Sequence, residues 1–95
     1  MVEDGKLRVK KFNGQNFSLW KMQMEDYLYQ KDLYLPLGGK AKMMTCMTNE
    51  EWNLLDRKAL KAVQLCLATL VTFKILKETT TEGLIKALEK LYEKP

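Results

Sequence analysis

The sequence predicts an all-α fold: a compact bundle of four to five helices with an extended N-terminal arm and a long loop between the first two main helices. Three observations carry this. Apolar residues recur at three- and four-residue steps in three separate stretches, the period of an α-helix face. Two phrases, Thr48 to Glu51 and Thr79 to Glu82, have the Thr-x-x-Glu spacing of a capping box. The one β-rich run, Val71-Thr72-Phe73-Lys74-Ile75, has no second run with which to pair.

Residues 1–11 read as a basic arm and 12–95 as the helical domain. Lys6-Leu7-Arg8-Val9-Lys10 alternates polar and apolar, so it is expected to lie extended with Leu7 or Val9 against the body. Asn13-Gly14 marks a turn. Asn16 or Ser18 is placed to cap the helix that follows, and Phe12 and Phe17 to staple its start to the core. The first helix is expected from about Ser18 to Lys31, with Phe17, Trp20, Met24, Tyr27 and Leu28 along its apolar face. Met22 and Tyr29 fall off that stripe and either widen it or face a partner.

Pro36 ends this region by removing a donor and biasing Leu35 towards an extended backbone, and Gly38-Gly39 opens a loop. Met43, Met44 and Met47 crowd around Cys46 before the second helix, and methionine adapts to irregular contacts. Thr48-Asn49-Glu50-Glu51 starts the second helix, with Trp52, Leu55, Ala59, Ala62, Val63, Cys66 and Leu70 down one face and Leu60, Leu67 and Val71 beside them. A break is expected near Leu70, then a short helix at about Phe73 to Lys77. Thr79 and Glu82 box the last helix, which is read as burying Leu84, Leu88 and Leu91. The chain stops at Lys94-Pro95 without a terminating element, which reads as a truncated end. The expected core is Phe12, Phe17, Trp20, Met24, Leu28, Trp52, Leu55, Val63, Leu67, Leu88 and Leu91.

Ninety-five residues make one small domain, 46% apolar and 29% charged. Such a chain buries roughly 60–65% of the surface its unfolded form exposes. The formal charge of +4 is mildly basic, and Lys6, Arg8, Lys10 and Lys11 form the only dense basic run, a candidate weak RNA contact. Two cysteines, Cys46 and Cys66, make no disulfide framework and no zinc spacing. No leader opens the chain and no apolar run approaches a membrane span, so a cytosolic or nuclear protein without a membrane partner is expected.

The chemistry of catalysis is missing from the residue inventory. There is no histidine, so serine and cysteine nucleophiles lack their usual base. Glu25, Asp26, Glu50, Glu51 and Asp56 sit on solvated faces or at helix starts rather than in a cleft that would shift a pKa. Gly38-Gly39-Lys40 lacks the spacing of a phosphate loop. Trp20 and Trp52 fall at helical spacing with other apolar residues and read as core anchors. No enzyme activity, cofactor, metal or small-molecule substrate is expected.

The ordered phrase Phe12-x-Gly14-x-Asn16-Phe17-x-x-Trp20, with Met24, Leu33 and Leu37, then Glu51-Trp52, Ala59 and Leu67, resembles the N-terminal part of Gag polyproteins of copia-type LTR retrotransposons. Thr79-Thr80-Thr81-Glu82 followed by Leu88-Glu89-Lys90-Leu91-Tyr92 is similar to the same family, so the resemblance spans residues 8 to 95. One departure is Gly83-Leu84, where the family commonly has Ala-Trp; it is expected to loosen the start of the last helix. The resemblance implies a helical capsid domain that self-assembles into a virus-like particle around element RNA. The chain is then its own partner, with helix 1 and Met43, Met44 and Met47 as candidate assembly contacts. The alternative is a Gag fragment adopted by a host as a protein-interaction domain.

Overall fold

The computed structural model describes residues 9–93, and these fold into four α-helices: α1 Phe17–Gln30, α2 Asn49–Leu65, α3 Thr69–Lys74 and α4 Thr81–Tyr92. No strand forms among the described residues, so the fold is all-α. The loop between α1 and α2 holds two short 3-10 turns, Leu35–Gly38 and Lys40–Lys42. Leu7, Lys6 and Arg8 lie outside the described residues, while Val9 packs partly buried against the core.

Helix α1 buries Phe17, Trp20, Met24 and Leu28. Its start is not capped by a side chain. Asn16 instead takes the left-handed conformation, φ 57° and ψ 50°, which asparagine tolerates better than most residues. The turn before it is fixed by Asn13, whose Oδ1 accepts the Gln15 N–H at 3.2 Å. The helix ends in a Schellman motif. Asp32 sits at φ 60°, Leu33 N–H donates to the Leu28 carbonyl at 2.7 Å, and Asp32 N–H donates to Tyr29 at 3.2 Å. A non-glycine residue there is strained, so Asp32→Gly is expected to stabilise the fold by about 0.5–1 kcal/mol in urea unfolding.

Leu35 is not extended as its position before Pro36 implied. Proline fits the first turn of a helix because its missing N–H would be unpaired there anyway. Pro36 therefore opens a 3-10 turn closed by Leu37 N–H to the Tyr34 carbonyl at 3.0 Å.

The Thr48–Glu51 capping box forms in full. Thr48 Oγ1 accepts the Glu51 N–H at 3.0 Å and the Glu51 carboxylate accepts the Thr48 N–H at 2.9 Å. Helix α2 lies between α1 and α4 and buries Trp52, Ala59, Leu60 and Val63. Leu55 is only half buried, because the seam runs through 52, 56, 59, 60 and 63 and leaves it on the shoulder.

The break comes earlier than the sequence pattern indicated. Helix α2 stops at Leu65, and Leu70, expected on its buried face, is 76% exposed on α3. The cause is Phe12. Its N–H donates to the Cys66 carbonyl and its own carbonyl accepts the Ala68 N–H, both at 2.9 Å, forming an isolated parallel bridge to Leu67. The Trp20 indole N–H donates to the same Cys66 carbonyl at 3.2 Å. The N-terminal segment thus consumes the groups that would continue α2, and the short helix begins at Thr69 instead of Phe73.

Thr80 rather than Thr79 caps α4, accepting the Gly83 N–H at 3.0 Å. The reason lies in the next residue. Thr81 is fully buried and doubly bonded to Asp56 of α2: its N–H donates to Oδ1 and its hydroxyl to the main-chain carbonyl, each at 2.9 Å. This pairing fixes the register of α4. At Gly83, where a looser start was expected, the N–H donates to the cap and Leu84 beside it is fully buried. Leu91 is 53% exposed. The buried stripe runs 81, 84, 85, 88 and then Tyr92, so the four-residue step passes Leu91 by. Lys21 of α1 pairs with Glu89 of α4 at 2.6 Å. The hydrogen bond that Lys21 donates to the Glu89 carboxylate raises the ammonium pKa above its ordinary value of 10.5. A raised ammonium pKa stabilises the fold below that value and the contribution is lost as pH climbs past it, so the pair holds throughout the neutral range.

Candidate interaction surfaces

The aromatic phrase that opens the domain is turned inward. Phe12 stands edge-on to Tyr92 at 4.9 Å between ring centroids and lies 5.2 Å from Trp20 and 5.4 Å from Phe17. Phe12, Phe17, Trp20, Met24, Leu28, Val63, Leu67 and Leu88 are all buried in one cluster. Trp52 is buried apart from it, beside Pro36, Gly39 and Glu82 in a small cleft of about 210 Å³. Both indoles are closed off by protein, which leaves neither as an open stacking face.

The outer face of α1 is a different matter. Leu19, Met22 and Tyr29 are each more than half exposed, and the Tyr29 ring packs on Tyr34 at 4.5 Å. At 100° per residue, 19, 22 and 29 fall within one quadrant, roughly opposite 17, 24 and 28. Helix α1 therefore buries one apolar side in the core and carries three further large apolar side chains, with Asp26 among them, on the side turned to solvent. Of the methionines before α2, Met44 is exposed while Met43 and Met47 are half buried.

Cys46 in that loop is an exposed free thiol, and Cys66 is a half-buried one. Burial pushes the Cys66 thiol up, with nearby Lys11 acting in the opposite direction. Thiol labelling near neutral pH is expected to show one fast phase and one at least roughly tenfold slower, since the thiolate is the reactive form. Cys46→Ser should abolish the fast phase alone. Among the described residues no group of three or more His, Cys, Asp or Glu could hold a metal, and no helix is long and apolar enough to cross a membrane.

Of the basic arm, Lys10 and Lys11 are exposed and border a shallow groove of about 270 Å³ with Asn13, Gln15 and Gln23. Lys6 and Arg8, the other two candidate RNA contacts, lie outside the described residues. A denser cluster forms elsewhere. Lys74 at the end of α3 and Lys77 in the turn after it line a groove of about 540 Å³ together with Lys86 and Lys90 of α4, with Glu78, Gly83, Ala87 and Leu91 completing its walls. Sequence reading missed it because the four lysines come from two segments interleaved with acids. The available signal was like-charge spacing within one helix: 86 and 90 are four apart, so they share a face of α4.

No family model matches the chain, and no solved structure matches it. Over 88 residues, 92% of its length, the chain is 40% identical to the retrovirus-related Pol polyprotein from transposon TNT 1-94 of Nicotiana tabacum. The chain is related to a retrotransposon polyprotein. The matched region lies in the N-terminal part of that relative, and the chain spans 7% of the relative's length.

Proposed function

We propose that the chain is a non-catalytic structural domain of Gag or capsid type, of the copia class, which acts by associating with copies of itself. The observation that carries this is the set of large apolar side chains exposed on the outer side of α1. A small domain has few large apolar side chains to use in its core. Yet Leu19, Met22, Tyr29 and Tyr34 are gathered on one outward surface. Tyrosine and methionine are enriched at protein interfaces, and contiguous exposed apolar patches on soluble domains mark contact sites. The kinship with a transposon polyprotein supports a repeated, symmetric assembly as the use of that surface, with element RNA enclosed. Two free thiols fit a reducing compartment such as the cytoplasm.

Light scattering across protein and salt concentration, followed by negative-stain electron microscopy, tests the reading. Ordered oligomers or shells are the expected result. Amorphous aggregate alone would contradict it.

A further inference from the structure

We infer that the α3–α4 groove binds the phosphate backbone of single-stranded nucleic acid. Four lysines, Lys74, Lys77, Lys86 and Lys90, line it against a single carboxylate, Glu78. The whole chain carries a formal charge of only +4, so this groove concentrates most of the excess. Lys86 and Lys90, four residues apart on one face of α4, repel, and such an arrangement costs the free protein stability that an anion would return. Lys86 is only partly neutralised, by Glu82 at 3.2 Å on the exposed side of α4.

The geometry favours a strand over an isolated anion. At 1.5 Å rise per residue, Lys86 and Lys90 are spaced about 6 Å along α4, comparable with successive phosphates of one strand. Lys74 lies with its ammonium 5.7 Å from the Tyr92 ring centre, which anchors one end of the row. Phe73, adjacent to Lys74 in α3, is 65% exposed. Phe73 is not among the residues lining the groove; as the exposed ring next in sequence to Lys74, it is the side chain on which an unstacked base of a single strand, but not of a duplex, would stack. The ligand class rests on the charge and spacing of the lysines and is independent of self-association.

Fluorescence anisotropy with a labelled 12-nucleotide oligouridylate tests this at protein concentrations where sedimentation shows monomer. Three or four phosphate contacts predict binding that weakens about 20- to 50-fold between 50 and 200 mM salt. Lys74→Gln/Lys77→Gln/Lys86→Gln/Lys90→Gln should weaken binding at 50 mM salt at least tenfold, and Lys86→Gln/Lys90→Gln alone should give part of that loss if the fourfold variant is unstable. The charge-matched Lys40→Gln/Lys42→Gln/Lys58→Gln/Lys61→Gln should cost less than threefold. Equal losses in the two fourfold variants, no binding at 50 mM salt, or equal affinity for a duplex of the same length would overturn the inference.

Discussion

Phe12→Ala is expected to destabilise the domain by about 3–5 kcal/mol, the range for removing a buried phenyl ring. That is a large share of the roughly 5–15 kcal/mol that holds a small domain folded. The ring is 2% exposed and contacts Phe17, Trp20 and Tyr92, so its loss opens a cavity where the N-terminal segment, α1 and α4 meet. The backbone of the same residue holds the Cys66–Ala68 elbow, and without the ring to seat it those two hydrogen bonds become easier to open. Urea unfolding followed by tryptophan fluorescence should show the midpoint fall by about 2 M, given usual denaturant slopes. Phe73→Ala is the matched control: the same chemical change on an exposed ring should stay within about 0.5 kcal/mol of the parent. A loss below about 1 kcal/mol for Phe12→Ala would mean the junction is not held by this side chain.

Gly39→Ala should cost about 2–4 kcal/mol through two separable effects. The backbone at Gly39 has φ 79° and ψ 179°, a region open essentially only to glycine. A methyl group there would also collide with the Glu82 carboxylate of α4. A double-mutant cycle separates the two. In a Glu82→Ala background the collision is gone, so Gly39→Ala should cost only the backbone part, about 1–3 kcal/mol. Glu82→Ala by itself removes an exposed ion pair with Lys86, worth about 0.3–0.5 kcal/mol. Strict additivity in urea midpoints would show that the Glu82 carboxylate swings aside at no measurable cost.

The helices themselves were legible because periodicity and capping are local. The Thr48–Glu51 box formed as its spacing requires, and α1 buries the stripe that its period picks out. What sequence could not place depended on contacts between distant residues. Phe12 reaches Cys66 and Ala68 and so decides where α2 ends, which no window around Leu70 contains. Asp56 reaches Thr81 and so moves the cap from Thr79 to Thr80. Leu91 was assigned inward by a three-residue step where the helix takes four. The surfaces divide in the same way. Met22 and Tyr29 stand off the buried stripe in the sequence itself, whereas the lysine groove exists only once α3 and α4 are side by side.

Self-association would use the exposed Leu19, Met22 and Tyr29 of α1 as the contact with other copies of the chain. Sedimentation velocity of the parent chain beside Leu19→Asp/Met22→Asp tests this most directly, since both sites are exposed and the substitutions leave the core intact. The parent is predicted to sediment faster as concentration rises, while the double variant, with unchanged circular dichroism and urea midpoint, stays monomeric. A parent that is monomeric at every concentration and salt, or a double variant that associates as the parent does, would contradict the account.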